Sequence, residues 1–503
     1  MLELDQQTAT EVYATLTGHR TSLSALLDQA RRSGSEPAPT WTVPVTPRTV
    51  HRLEGLRRFA WDHGTAIDFL RPNGLSPTET IFWNDFRQSC GDRRGAASGA
   101  WRLAHDLFDC IRHFRVGGSK AGALDVSIDR AVLIGVYGGE HVGDAAILGG
   151  VIQDLHERRR TERVTLFSHR PEHTRNLADS LSLPAEIEVL PYTLGRVRRE
   201  LSQADGLVLA GGPLMDLPSV LVKHLTAASI AHSQGTPFLI ERIGLGPFKR
   251  ELSRRMARRI LLLADGVSVR AAAALKDDLL AGIDARVLTD PAFDYLSTRS
   301  ELSRLPDRDR AAVDSLLEGA ADGPIIGINL RPIRHQWCPD GEEASKRAYQ
   351  GFLERLAKGL IRLDEGSPRP ARYVFFPMNP MQLGQSDLAS AYDLQRLVNG
   401  KVDLRVWEAD PTVDGVLYLL RRLDSVVAMR FHACIFAISQ ELPTLGVDYY
   451  PGMGGKVLDL FSDLRRENDA VRIDRFDLDW FVSKMRAKLE FGLDGGNSAR
   501  MDS

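Results

Sequence analysis

Residues Ala131–Leu148, AVLIGVYGGEHVGDAAIL, decide how the rest of the chain is read. A β-branched apolar run, Ala131–Val136, ends in a turn that carries Gly138, Gly139 and Gly143, and a helical pattern follows over Asp144–Arg159. A short apolar run bounded by glycines reads as a buried strand, and a strand that runs straight into a helix is half of a βαβ unit. The glycines let backbone amides approach an anion at the helix start, and Asp144 is placed to cap that helix. A tight strand–helix turn with no ligand explains the same spacing, because a lone glycine turn is a weak motif. The dinucleotide fingerprint GxGxxG is absent.

The same unit recurs on both sides. Further strand candidates are VTLF (Val164–Phe167), GLVLA (Gly206–Ala210), PFLI (Pro237–Ile240) and GVSV (Gly266–Val269), with a helix over Phe248–Leu263. A polar stretch, Ser297–Arg310, interrupts the alternation. It restarts with PIIGINL (Pro324–Leu330), YVFF (Tyr373–Phe376), VDLRVW (Val402–Trp407), SVVAM (Ser425–Met429) and TLGV (Thr444–Val447). Strand–helix–strand alternation implies parallel pairing and a doubly wound sheet. The fold class is therefore α/β, with two tandem Rossmann-like domains at 129–300 and 323–470 joined by a linker at 301–322. Residues 1–128 read as a mostly helical extension. Its helix faces are Val50–Gly64 and Trp101–Phe114, and its Pro-rich Glu36–Pro47 reads as extended. Residues 471–503 read as a C-terminal helix and a small, polar tail, FGLDGGNSARMDS, for which disorder is expected.

Composition narrows the function. The 503 residues carry 64 Lys+Arg against 66 Asp+Glu, a formal charge of −2, which argues against a global nucleic-acid footprint. Only 10 cations are lysine, so 54 are arginine, whose planar fork suits carboxylate or phosphate. Cys90, Cys110, Cys338 and Cys434 lie far apart with no CxxC, which points to a reducing compartment and a cytoplasmic protein. No basic segment followed by an apolar one opens the chain, and no apolar run approaches the ~18 residues of a membrane span.

Ligands of doubly wound sheets bind beyond the carboxyl ends of the strands, so the natural site is the cleft between the two halves. LAGGPLMD (Leu209–Asp216) puts Gly211 and Gly212 at such an end, with Asp216 placed to cap a helix. ERIGLGPF (Glu241–Phe248) follows PFLI as a loop and helix start, with Arg242 in reach of the cleft and Pro247 suited to a first helical turn. INLRPIRHQW (Ile328–Trp337) places Arg331, Arg334 and His335 in one loop at the ligand edge. SVVAMRFHACIFAI (Ser425–Ile438) opens an apolar helix with Arg430 and His432. Cations there oppose the macrodipole by about 0.3–1 kcal/mol, a conflict that an anion between them would resolve. A carboxylate of the protein would resolve it equally well. DYYPGMGGKVLDLF (Asp448–Phe461) brings Lys456 to another glycine-rich helix start. GxxxxGK[ST], HExxH and GxSxG are absent, as is any metal-ligand cluster.

Taken in order, these blocks resemble the polysaccharide pyruvyl transferase family over Asp129–Leu464. The blocks are GGEHVGDAAIL, AGGPLMD, IGLGP, SVR (Ser268–Arg270), TDPAF (Thr289–Phe293) and MRFHACIFA followed by a lysine. One position departs from the pattern: His141 stands where the family usually has Asn. The resemblance implies a glycosyltransferase-B-like architecture and transfer of the pyruvyl unit of phosphoenolpyruvate to a sugar of a cell-surface polysaccharide or its precursor, forming a ketal and releasing phosphate. It implies His432 and Arg430 as catalytic residues. Arg331, Gly143, Asp144, Gly211, Gly212, Lys456 and His335 are the candidates for substrate binding. No metal and no cofactor beyond the donor are expected. The partners expected are phosphoenolpyruvate and a sugar or lipid-linked oligosaccharide, without nucleic acid or a transmembrane segment and with peripheral membrane association left open. A nucleotide-sugar glycosyltransferase and a non-catalytic scaffold of the same fold are the competing readings.

Overall fold

The computed structural model describes residues 40–44, 66–70, 127–137, 142–320, 322–333, 341–365, 367–379, 386–451 and 455–495. Within the N-terminal extension these include two short strands, β1 (Thr40–Pro44) and β2 (Ala66–Leu70), which pair in parallel. β1 falls inside the Pro-rich stretch read as extended, while the two proposed helix faces lie outside the described residues.

The first domain runs β3 (Arg130–Ile134), α1 (Val142–Arg159), β4 (Arg163–Ser168), α2 (Pro171–Asp179), β5 (Glu186–Pro191), α3 (Leu194–Leu201), β6 (Gly206–Leu209), β7 (Pro213–Leu214), α4 (Pro218–Gln234), β8 (Phe238–Leu245), α5 (Glu251–Leu263), β9 (Gly266–Val269), β10 (Ala285–Val287) and α6 (Pro291–Ser297). Its sheet has the order β10-β9-β8-β6-β3-β4-β5, with β7 on β8, and every pair is parallel. After α7 (Asp307–Leu317) the second domain runs β11 (Ile325–Asn329), α8 (Gly341–Asp364), β12 (Arg372–Phe375), α9 (Asp387–Val398), β13 (Asp403–Val406), α10 (Val413–Leu420), β14 (Ser425–Ala428), α11 (Phe431–Ser439), β15 (Thr444–Asp448), α12 (Lys456–Asp463), β16 (Ala470–Arg472) and α13 (Leu478–Gly495). Its sheet, β13-β12-β11-β14-β15-β16, is also wholly parallel.

Parallel neighbours cannot be joined by hairpins, so each connection crosses a sheet face, and the strands become apolar on both sides. β6, β9, β12 and β14 are buried at every position. The apolar core divides accordingly. One cluster fills the outer face of the first sheet under α3, α4 and α5, and another fills the outer face of the second under α8, α9 and α13. A third cluster is continuous between the domains, joining residues of α1 and α6 to residues of α10 and α11. The two halves thus share an apolar seam beside the cleft.

Several elements differ from the sequence reading. The linker is not merely a polar break: α7 lies inside it, and its buried Asp309 accepts hydrogen bonds from the backbone and hydroxyl of Thr412. Arg299, just beyond α6, donates from Nη2 to both oxygens of the buried Asp414 of α10 at 2.6 and 2.7 Å, which ties the end of the first domain to the second, and the backbone N–H of Arg304 in the linker donates to the same carboxylate. β8 extends through Leu245, because the segment after Ile240 continues beside β7 and, past an irregularity, β9. The following helix begins at Glu251, with Asp216 accepting from the backbone of Lys249 and Arg250 ahead of it. Pro247 precedes that helix rather than opening it. Arg242 does not reach the cleft, since its buried guanidinium is bound by Asp154 of α1 and Asp294 of α6. α13 runs on to Gly495, so the first five residues of the presumed tail are helical, and the remainder lies outside the described residues. Among the described residues no helix is long and apolar enough to cross a membrane.

Candidate active site

Strand order locates the site. In the first sheet the chain moves outward from β3 to β4 and β5, then returns to β6 and moves out the other way. In the second it moves from β11 to β12 and β13, then returns to β14. The carboxyl edges of β3/β6 and β11/β14 are therefore topological switch points, where loops diverge and leave a crevice. Gly143 starts α1 after β3, Gly211 follows β6, Arg331 follows β11, and Arg430 and His432 follow β14.

The fold brings the two switch points face to face. A Cβ on Gly143 would stand 2.3 Å from Cγ and Nδ1 of His432, so only glycine admits the imidazole against the start of α1. The backbone N–H of Val142 also donates across the domains to the carbonyl of Met378. Gly143 therefore seats His432. Gly143→Ala is expected to push the ring aside and lower kcat by about 100-fold, the scale of a ~1 Å misplacement, and to lower the unfolding midpoint as well, since overpacking a buried contact costs about 1–3 kcal/mol. Steady-state kinetics beside thermal unfolding checks this.

Arg430 corrects the argument made for it from sequence. It immediately precedes α11, and its side chain is 7% exposed. Its guanidinium is held by the fully buried Asp387 at the start of α9, through Nε at 2.8 Å and Nη2 at 2.6 Å. Asp387 also accepts from the backbone N–H groups of Met378 and Asn379. The protein's own carboxylate, rather than a guest anion, thus answers the cation at the helix start. The Arg430 backbone donates to Oδ1 of Asn329, while the amide of Asn329 donates to the carbonyl of Phe376. Arg430 fixes the β14–α11 turn from which His432 projects.

Two other cations lack such an answer. Arg331 is half-buried, with Cζ 4.5 Å from the centroid of Tyr449, and it has no carboxylate in ion-pair range among the described residues. Burial, reinforced by the neighbouring charge of Arg430, draws its guanidinium below the usual range, against opposing effects of Tyr449, Asp387 and Tyr450. Lys456, the first residue of α12, is half-buried and likewise has no ion-pair partner among the described residues. Burial, then Arg270 and Arg331, push its ammonium down to about 7, opposed by Asp144 and Asp290. Asp448 anchors that helix start by accepting from the backbone of Val457 and Leu458, and burial raises its carboxyl to about 6.

The first domain supplies Arg270, one residue past β9. Nη1 of Arg270 pairs with Asp290 at 2.9 Å, both side chains buried, and its Cζ lies 5.1 Å from the centroid of Phe431. Phe431 in turn meets His432 edge to face at 5.2 Å. Asp290 also caps α6 through the N–H of Ala292. Arg270 and Asp290 stood in two quoted sequence blocks but were not read as site residues. The rule that singled out Arg331, a cation just beyond a buried strand, applies to Arg270 as well. Tyr449 and Asp387 carried no local signal.

The other sequence candidates divide. Asp144 lies in the first turn of α1 rather than before it, and its charge reaches Lys456. Gly211 has φ +76°, and a Cβ there would meet the hydroxyl of Tyr137 at 2.1 Å, so the position needs glycine for packing. Gly212, at φ +140°, lies beside Val136. His335, Arg334 and His141 lie outside the described residues, as do Gly138 and Gly139. The starts of α1, α11 and α12 therefore converge on Arg331, His432 and Lys456. Three positive helix ends and two cations without ion-pair partners among the described residues thus lie together.

Residues 141–450 match the family model described as polysaccharide pyruvyl transferase. No curated protein matches the chain. Among solved structures, UDP-GlcNAc 2-epimerase from Neisseria meningitidis bound to UDP-GlcNAc is 13% identical, covering 73% of this chain and 92% of that one at a TM-score of 0.48. The corresponding enzyme from Methanocaldococcus jannaschii is 12% identical over 72% and 92%, at a TM-score of 0.49. ADP-heptose LPS heptosyltransferase II from E. coli is 13% identical over 72% and 99%, at a TM-score of 0.39.

Proposed function

This chain belongs to the polysaccharide pyruvyl transferase family, and on that premise we propose that it moves the pyruvyl unit of phosphoenolpyruvate onto two hydroxyls of a glycan sugar, forming a cyclic ketal. The supporting observation is the pair of cations without acid partners, Arg331 and Lys456, set where three helices begin. The donor carries a carboxylate and a phosphate. A guanidinium takes either in a bidentate fashion, and an ammonium serves as a point charge.

His432, seated on Gly143, is the proposed general acid. It delivers a proton to the donor's methylene carbon, which becomes the methyl group. A sugar hydroxyl then forms a C–O bond to the cationic carbon and yields its proton back to the imidazole. A second hydroxyl displaces phosphate, whose C–O bond breaks with its electron pair. The second hydroxyl proton leaves with phosphate, so one proton is consumed at carbon and one departs. Lys456 and Arg331 balance the phosphate charge throughout.

The test is phosphate release from phosphoenolpyruvate with a panel of galactose-, mannose- and glucuronate-containing acceptors. Release that disappears in His432→Ala supports the reading. Equal release by wild type and variant overturns it, as does thermal stabilisation by UDP, GDP or CMP with none by phosphoenolpyruvate.

The ammonium near neutrality adds a pH dependence with a fixed sign. Lys456 must be charged to hold the donor, and its ordinary value of 10.5 is lowered to about 7. The donor phosphate is largely dianionic above about pH 6. Donor KM should therefore be lowest below about 7 and rise as pH passes through that value, and the step should vanish in Lys456→Arg. KM measured at intervals from about pH 6 to about pH 9 checks it.

A further inference from the structure

Of the five exposed large apolar side chains among the described residues, three fall in one corner of the first domain: Leu252 at 56%, Leu275 at 48% and Val287 at 40%. Leu252 is in the first turn of α5, which follows β8. Leu275 is in the short 3₁₀ turn Ala272–Lys276 that follows β9, and Val287 is the last residue of the edge strand β10. In a parallel sheet all three positions lie toward the carboxyl edge, the edge that carries the candidate site. Arg254 of α5 bonds Asp277 just after that 3₁₀ turn, which brings the two segments together, and β10 pairs with β9.

The charge around these residues is basic in a chain whose net charge is −2. Lys249, Lys276 and Arg286 are exposed beside them, and α5 itself carries four arginines against one glutamate. Of the acids of the corner, Glu251 pairs with Arg255, Asp277 and Asp278 share Arg254, and the exposed Asp284 has no ion pair among the described residues, so cations remain in excess. Exposed aliphatic side chains set among lysines and arginines match a surface that is apolar beneath and anionic above.

We infer that this corner, Leu252, Leu275 and Val287 with Lys249, Lys276 and Arg286, seats the protein on an anionic phospholipid surface. The inference deepens the proposed function, on which it rests for its purpose, since Arg270 of the candidate site lies five residues before Leu275 and a membrane-borne acceptor would meet the cleft mouth there. The docking is shallow and reversible, with the leucines among the headgroups and the cations over anionic lipid.

The test is flotation of the full chain with vesicles of neutral phosphatidylcholine and with vesicles containing about a third phosphatidylglycerol, without donor or acceptor. Binding to the anionic vesicles, lost on raising salt to about 0.5 M, is expected. Leu252→Asp combined with Leu275→Asp should weaken partition by about tenfold or more, and Lys276→Glu combined with Arg286→Glu should do the same. All four positions are exposed, so unfolding midpoints should stay put. No flotation, equal flotation with both vesicle types, or flotation indifferent to the variants overturns the inference. Phosphate release with a soluble acceptor separates the two readings: release without flotation removes only the membrane inference, and flotation without release removes the transferase.

Discussion

Asp387→Ala is expected to destabilise the protein by about 3–5 kcal/mol, the cost of leaving a buried charge without its partner. Arg430 would keep its guanidinium at 7% exposure without the Asp387 carboxylate, and the backbone N–H groups of Met378 and Asn379 would lose their acceptor. Asp387→Asn separates the two losses. Its amide oxygen still accepts from the backbone, so its cost should lie below that of alanine while Arg430 loses the Asp387 charge. Denaturant unfolding of the three proteins measures this. A midpoint unmoved in Asp387→Ala would mean that Arg430 is held by another anion and would reopen the reading in which a bound anion sits between Arg430 and His432.

Arg331→Met and Lys456→Met should behave in the opposite sense. Each is expected to lower kcat/KM for phosphoenolpyruvate by about 100- to 1,000-fold, the range for removing one preorganised electrostatic contact. Neither should lower stability, and the unfolding midpoint of the free protein should hold or rise. The reason is that burial disfavours both charged forms, and the charges of Arg430 on Arg331 and of Arg270 and Arg331 on Lys456 add to it, which together outweigh the nearby acids. Lys456 carries the same signature in its pH dependence. A group lowered from 10.5 to about 7 binds fewer protons folded than unfolded between those values, so wild-type stability should rise with pH across that window, and Lys456→Met should lose the slope. Activity lost together with a large fall in midpoint would assign these residues to the scaffold.

The contrast between Arg430 and Arg331 shows where sequence reasoning reaches its limit. Both follow a buried strand at the carboxyl edge, and from sequence Arg430 looked the stronger candidate because it opens a helix. The difference is Asp387, 43 residues away and brought alongside by the β12–α9 connection. Nothing in either local stretch records that meeting. Gly143 is similar: as part of a glycine-rich turn it suggested an anion cradle, whereas in the fold its missing side chain makes room for His432 of the other domain. The helix in the linker was also hidden, because the polar face of α7 masks an element that buries only Asp309 and Val313.

What the sequence determined by itself was the alternation of strand and helix, the doubling of the domain, the carboxyl-edge loops and the resemblance, because hydrophobic period and glycine spacing are local properties of the chain. What the tertiary structure alone decided was which cations are answered and which are not. Charge pairing depends on distance between residues far apart in sequence, and that distance is set by how the two sheets pack through α1, α6, α10 and α11.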